Sequence, residues 1–518
     1  MTFDRDVSLQ RMGTEPFDVL VVGGGITGAG VALDAAARGL RTALVERDDF
    51  ASGTSSRSSK LVHGGLRYLS QGDYRLVAQA LAERQRLLTN APHLVRALPF
   101  LVPSYGSRAR MRAVSSALWL YDLAGGARIG RLHRRLSPAD AMTRTPALRR
   151  DGLVGAHVYL DAQADDARLT LTVLRSAALD HRAVVANHVA VTGLLTTTGG
   201  RVVGAAVRAE GRDFDVRAAV VVNAAGVWAD ELAGQGARTI RPAKGVHLTL
   251  MADRVPTRVA LVLRVPADGR SIFVVPWPGA DRVYVGTTDT DYDGPLDAPM
   301  CTGADVAYLL DAVNAALTTD LSPADVVGTW AGLRPLVAGA AGSRSADLSR
   351  RHRVARSRPG LVTIAGGKLT TYRAMAADTV DAVEAELGRR HVPSPTGTLA
   401  LRGAMAGTDH LTSRYGREAR VVRALASSQP ALAEALVPGL PYLGAEALYA
   451  ARYEMATTLD DVLARRARAL ILDRDASVAA APGVARLLAP ELGWTEADQA
   501  AQVEAYRAGA EAERLAAS

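Results

Sequence analysis

The stretch Phe17-Asp18-Val19-Leu20-Val21-Val22-Gly23-Gly24-Gly25-Ile26-Thr27-Gly28 decides how this chain folds. An apolar, β-branched run ends at Val22 and reads as a buried strand. An alanine-rich stretch follows to Arg38 and reads as a helix. Between them Gly23 allows a tight turn. Gly25 lets the backbone approach a pyrophosphate with no Cβ in the way. Gly28 lets the helix pack against the strand. The helix N-terminus then offers unpaired N–H groups and a positive dipole end to phosphates. Gly39 stops the helix. Thr42-Ala43-Leu44-Val45 reads as a second strand, with Glu46 at its end, where an acid takes ribose hydroxyls. Strand, glycines, helix, strand and terminal acid in this order specify a dinucleotide-binding βαβ unit. A glycine-rich turn arising by chance would lack the other parts.

Outward from this unit the chain reads as α/β. A helix is expected from Asp73 to Thr89, with Leu76, Val77, Ala80, Leu81, Leu87 and Leu88 on one face. Residues 184–207 alternate between turns and apolar runs and suggest a small antiparallel meander. Ala219-Val220-Val221-Val222 suits a buried strand of the first sheet, ending in the small residues Asn223-Ala224-Ala225-Gly226. Strand-like runs at His247–Leu250, Ile272–Val275 and Val283–Gly286 suit a second, antiparallel sheet. Leu361–Ala365 reads as a strand returning to the first sheet, and a helix is expected from about Thr371 to Leu387. His391-Val392-Pro393-Ser394-Pro395-Thr396-Gly397 is a linker. Beyond it the chain is rich in Ala, Leu, Arg and Glu and reads as helical. The expected division is thus residues 1–397, with a discontinuous nucleotide-binding part (about 16–90, 150–235 and 340–390) and a cap (about 91–149 and 236–339), followed by helices over 398–518.

At 518 residues the chain is long enough for two or three cores. No apolar run is long enough to span a bilayer, and residues 1–11 are polar, so neither a transmembrane helix nor a signal peptide is expected. The single cysteine, Cys301, excludes an internal disulfide, a cysteine-based zinc site and an iron–sulfur cluster. No metal is expected, and a cytoplasmic location fits. The net charge of +8 is concentrated: residues 101–150 hold ten arginines and two aspartates. Such a surface points to an anionic partner or to a solvated face. Nucleic acid is not expected, because the region carries no recognised binding motif.

Ser55-Ser56-Arg57-Ser58-Ser59-Lys60-Leu61-Val62-His63-Gly64-Gly65-Leu66-Arg67-Tyr68-Leu69 is the richest segment. Its hydroxyls and lysine come where the chain returns past a bound pyrophosphate. His63 and Arg67 flank a glycine pair that admits a ring closely. Three clusters add to it: Gly286-Thr287-Thr288-Asp289, Trp330-Ala331-Gly332-Leu333-Arg334-Pro335 and Gly366-Gly367-Lys368-Leu369-Thr370-Thr371-Tyr372-Arg373. Each alone is also what a turn with a surface charge looks like. Together they supply Arg67, Arg334, Arg350 and Lys368 for one small anion.

These blocks, with DDAR from Asp165, KGVH from Lys244 and EMATTLDDVLARR from Glu454, closely resemble the FAD-dependent, respiratory glycerol-3-phosphate dehydrogenases over nearly the whole chain. The resemblance implies a Rossmann-type FAD-binding domain, an antiparallel-sheet substrate domain and a helical C-terminal domain. It implies oxidation of sn-glycerol 3-phosphate to dihydroxyacetone phosphate, with hydride passing to flavin N5 and electrons to a membrane quinone. It implies FAD held without a covalent bond by Gly23, Gly25, Ile26, Thr27 and Gly28; by Glu46 and Arg47; by Thr54, Ser55, Ser56, Ser58, Ser59, Lys60 and Leu61; by His63, Gly64 and Gly65; by Val189, Ala224, Gly226 and Trp228; and by Gly367, Lys368, Leu369 and Thr370. Arg67 and Lys368 are the expected phosphate ligands, with Tyr68, His247, Asp289 and Arg350 lining the pocket. A histidine titrates near pH ~6.5 and suits the base, whereas Arg334 stays protonated and suits stabilising charge on oxygen. The residues leave open which of His63 and Arg334 takes the proton. The oligomeric state is open too, a homodimer included.

A glycerol-3-phosphate oxidase using O2 is the nearest rival. An amine oxidase of the sarcosine or glycine type is disfavoured by the cluster of cations. A basic binding module with a vestigial cofactor fold would have degenerate site blocks, and these are intact. Residues 105–121 place Arg108, Arg110 and Arg112 ahead of Leu118, Trp119, Leu120 and Tyr121. A surface helix of this kind holds arginines at lipid phosphates and sinks Trp119 into the interface. Peripheral attachment to the inner face of the plasma membrane is therefore expected, the alternative being that Trp119 and Leu120 are core residues.

Overall fold

A computed structural model describes residues 3–69, 72–234, 239–266, 268–338 and 351–518; Arg350 and the side chain of Arg67 lie outside the described residues. The first sheet runs in the order Arg353–Arg358, Leu361–Ala365, Arg212–Asn223, Phe17–Val22, Thr42–Val45, Val184–Ala186. All neighbours along it are parallel except the first pair. Such strands are covered on both faces, which is why they read as continuous apolar runs. Val19 and Val21 point into one core with the helices Ile26–Ala37, Asp166–Arg175 and Tyr372–Glu386. Leu20 and Val22 point into another, under the strands Ala190–Thr196 and Val202–Ala209.

Those two strands and the first half of Arg212–Asn223 form the antiparallel meander. Val184–Ala186 does not belong to it, contrary to the expectation. It pairs parallel with Thr42–Val45 and is buried at all three positions, so it extends the first sheet.

Among the described residues the second sheet has ten strands, with Ile240–Met251 and Val326–Val337 as its longest antiparallel pair. One face packs on the helix Gly303–Ala316. The opposite face, carrying His247 and Trp330, meets the cavity described below and the C-terminal helices. Leu153–Gln163 lies in this second sheet, paired with Arg96–Tyr105 along its length. The expected division places residues 150–235 in the nucleotide-binding part. Only after Gln163 does the chain return, through Asp166–Arg175, to pack on the glycine-turn helix. The linker is docked rather than free: Ser394 and Thr396 both donate hydroxyl hydrogen bonds to Asp34 of that helix. The C-terminal region is helical as expected, and it shares a core with the second sheet. No described helix is long and apolar enough to cross a membrane.

Candidate functional site

The glycine turn has the geometry its sequence requires. Gly23 adopts φ +110° and donates its N–H to Val45 O at 2.9 Å. A Cβ on Gly28 would stand 1.9 Å from Gly23 O, so helix and strand touch there. Gly25 caps the helix without a side chain, and the first helical N–H, of Ile26, is bonded to Ser55 Oγ at 2.8 Å. Glu46 accepts from the N–H groups of Gly24 (2.6 Å) and Asp48 (3.0 Å). Burial nevertheless holds its carboxyl above the usual range, against those two bonds.

These residues open onto a cavity of about 780 Å³ between the two sheets. Its wall includes Gly23, Gly25, Ile26, Thr27, Glu46, Arg47, Thr54, Ser55, Ser58, Ser59 and Leu61. His63, Tyr68, Val189, Ala224, Gly226, Trp228, His247, Arg334, Gly367, Lys368, Leu369 and Thr370 complete the expected residues found there. The Trp228 indole N–H is buried at this wall with no hydrogen-bond partner among the described residues, and Arg47 lies 5.1 Å over its ring.

His63 is placed by its backbone, whose N–H donates to Thr370 Oγ1 at 3.2 Å. This bond ties the His-Gly-Gly loop to the Gly366–Thr371 turn across more than half the sequence. Lys368 Nζ sits 3.7 Å from the centre of the Tyr68 ring. Arg334 is held from several sides: Asp289 Oδ1 at 3.1 Å, Lys244 O at 3.2 Å and Thr288 O at 3.1 Å. Asp289 itself is set behind Arg334 and does not line the cavity. His247 stacks on Trp330 at 4.7 Å and shares a 2.8 Å hydrogen bond with Ser59 Oγ. Burial, helped by the charges of Lys60 and Arg334, drives its pKa well below the ordinary imidazole value, so it is neutral at pH 7. The site therefore combines fixed cations with two differently placed imidazoles.

Gly28, Ser56, Lys60, Gly64 and Gly65 stand behind the wall rather than on it. Lys60 is 1 % exposed, ion-paired to Asp166 at 3.3 Å and 4.5 Å over the Trp330 ring. Gly64 donates its N–H to Tyr121 Oη at 3.0 Å, and Tyr121 donates to Asp161, which Arg84 holds at 2.6 Å. That buried Tyr–Asp–Arg support was not visible in the sequence, because its members are far apart in the chain. Arg57 was also missed, although it lies inside the quoted serine-rich motif; it lines the cavity and reaches Ala331 O at 3.4 Å.

Residues 18–373 match the FAD dependent oxidoreductase family, and residues 363–499 match the C-terminal domain of alpha-glycerophosphate oxidase. The chain is 45% identical to glycerol-3-phosphate dehydrogenase 2 of Mycobacterium bovis, over 99% of this chain and 91% of that one. Glycerol-3-phosphate dehydrogenase of Mycobacterium leprae is 44% identical over the same shares. Among solved structures, the glycerol-3-phosphate dehydrogenase from Bacillus halodurans complexed with FAD superposes with a TM-score of 0.80 at 32% identity, covering 98% of this chain and 97% of that one. The cavity fits such a cofactor on its own geometry, having a side-chain-free turn at a helix N-terminus and an indole N–H at its wall that is unpartnered among the described residues. The chain belongs to the FAD-dependent glycerol-3-phosphate dehydrogenases, flavoenzymes of the FAD dependent oxidoreductase family.

Proposed function

We propose that this enzyme oxidises sn-glycerol 3-phosphate to dihydroxyacetone phosphate and delivers the electrons to a quinone at a membrane surface. One observation carries the substrate reading. A single cavity wall combines a titratable His63, a braced Arg334 and Lys368 beside the glycine turn. When bound there, FAD supplies the hydride acceptor. In this reading the first sheet holds the cofactor and the second covers the substrate. His63 takes the hydroxyl proton. Arg334 remains charged and steadies the oxygen as negative charge develops on it. Lys368, braced by the face of Tyr68, holds the phosphate dianion. His247, neutral and bonded to Ser59, donates or accepts a hydrogen bond but is a poor store for a proton.

The acceptor reading is supported by the helix Arg108–Leu123. Arg108, Arg110 and Arg112 are exposed. Trp119 is 50 % exposed, Leu120 48 % and Leu123 80 %, forming an apolar stripe on the outer face. Met111, Leu118, Tyr121 and Asp122 are the buried ones. That surface supports the reading of a peripheral location on an anionic membrane. Anaerobic addition of glycerol 3-phosphate to the yellow protein should bleach the flavin, and a quinone analogue should restore it much faster than air. Failure to bleach removes the substrate assignment. Reoxidation by air at the quinone rate favours the oxidase, the reading to which the family named for residues 363–499 lends weight.

A further inference from the structure

The serine-rich loop on the cavity wall is held in shape from behind by a residue of the C-terminal helical region. Arg468 is 1 % exposed and donates to the carbonyl of Ser56, while its guanidinium lies 3.3 Å from Asp166 Oδ1. Asp166, fully buried, accepts from both the N–H (2.9 Å) and the hydroxyl (2.6 Å) of Ser58. Lys60 Nζ closes the ring, reaching the carbonyl of Ser56 at 3.1 Å and Asp166 at 3.3 Å. Ser58 and Ser59 face the cavity; Arg468, Asp166 and Lys60 do not.

The backbone around Arg468 is fixed independently. The short helix Ala469–Leu472 docks on the second sheet, where Thr249 Oγ1 donates to Ile471 O at 2.6 Å and Arg282 Nε to Leu472 O at 3.2 Å. The helical region therefore meets the second sheet through the carbonyls of Ile471 and Leu472, and the serine-rich loop through the Arg468 side chain. A buried group of charges is weak as a source of net stability, because desolvation offsets the attraction. Burial pushes the Lys60 ammonium down to about 8, against the pull of Asp166 and with the help of Arg468. What such a group does well is fix geometry, since each oxygen of Asp166 and the Ser56 carbonyl has a directed partner.

We propose that Arg468 is a positioning residue of the flavin site, acting through Asp166 and the Ser56 carbonyl to hold Ser58 and Ser59 against the cofactor. The inference rests on the cavity being the FAD site. It assigns the C-terminal helical region a part in cofactor retention.

The test follows FAD release from purified holoenzyme, well below its melting temperature, by the rise of free-flavin fluorescence. The flavin absorption spectrum is recorded alongside. Arg468→Met should release FAD at least tenfold faster and shift the flavin bands. Arg468→Lys, which keeps the charge and can reach Asp166, should recover most of the parent rate. If Arg468→Met does not fold, Arg468→Lys and Asp166→Asn carry the comparison, and Asp166→Asn should also release FAD at least tenfold faster. A variant that melts earlier but releases FAD within twofold of the parent, with an unchanged spectrum, would show a merely structural role and overturn the proposal. Gly25→Val is run in parallel. Full flavin in Gly25→Val would show instead that the cavity has been misread.

Discussion

Gly25 and Gly28 are three residues apart and should fail in different ways. A Cβ on Gly25 meets Ser55 Oγ at 3.1 Å and otherwise opens into the cavity, whereas one on Gly28 collides with backbone at 1.9 Å. Gly25→Val should fold, with a circular-dichroism melt of the apoprotein close to that of the parent, but purify colourless. Gly28→Val should be poorly folded, because the helix must move off the strand. Equal flavin content in Gly25→Val and the parent would contradict this. His63→Ala should slow flavin reduction at saturating substrate by about 10²–10⁴-fold, the usual range for losing a general base. Lys368→Ala should act mainly on KM, because a phosphate meets that cation before and during the transition state alike. Stopped-flow traces over a substrate series separate the two. Such residues were legible in the sequence because each answers to a local demand: a turn, a close approach, a ring beside two glycines. Arg84, Tyr121 and Asp161 were not, since their roles exist only where three distant segments meet beneath Gly64. Lys60 shows the same limit from the other side. Its motif is local, but burial against Asp166 turns it away from the cavity.

Among elements, the helix Arg108–Leu123 shows what periodicity alone leaves open. Leu118-Trp119-Leu120-Tyr121 is apolar all round, so the sequence could not say which side faces the core. Packing decides it: Met111, Leu118 and Tyr121 go in, and Trp119, Leu120 and Leu123 stay out. The Trp119 ring stands edge-on to His133 at 4.9 Å, and His133 is bonded to Asp122 at 2.8 Å, so the exposed indole is braced. Replacing Trp119, Leu120 and Leu123 by Ser should sharply reduce sedimentation with anionic vesicles. Replacing Arg108, Arg110 and Arg112 by Glu should reduce it as well, mostly at low salt. At ~1 kcal/mol for each arginine, losing the three attractions alone amounts to roughly a hundredfold. Activity with a soluble dye should be unchanged in both. Vesicle binding equal to the parent in both variants would place the contact elsewhere. The strand Val184–Ala186 is hidden in the sequence for a related reason. Three apolar residues next to an alternating stretch look like its continuation, and only pairing with Thr42–Val45 separates them.

At the scale of the molecule, the C-terminal helices are bound to the first sheet through buried ions, and one of these should report pH. His188 Nε2 lies 3.1 Å from Asp461. Burial works against the charged imidazole, but the Asp461 bond and the charges of Asp461 and Asp49 outweigh it and raise its pKa. Asp461 is shifted down: burial opposes the shift, and the bond from His188 with the Arg465 and Arg466 charges prevails. A raised histidine stabilises the fold below its unfolded value of ~6.5 and loses that contribution as pH rises through the folded value. A depressed aspartate stabilises above its unfolded value of ~3.9 and loses that as pH falls through its folded one. The pair should count most between about pH 4 and 6.5. His188 has φ +52°, a region that asparagine tolerates, so His188→Asn is the suitable probe. Its melting temperature should fall furthest below that of the parent near pH ~6 and converge on it by pH ~9. A gap that ignores pH would mean the two groups are not an ion pair. The overall architecture was legible because both sheets and the helical tail announce themselves in the sequence pattern, while the crossing of Leu153–Gln163 into the second sheet depends on the distant partner strand Arg96–Tyr105. The strand order also dictates when the protein can acquire its colour during synthesis. Leu361–Ala365 is the last strand to pair with Arg212–Asn223, and Gly366–Thr370 follows it into the cavity wall. A nascent chain carries its glycine turn from the start, yet an open sheet edge and an unfinished cavity persist until that late segment leaves the ribosome. Flavin capture thus waits until the first 370 of the 518 residues have been made. A fragment ending at Val337 should emerge colourless and prone to aggregate, however intact its nucleotide-binding motif.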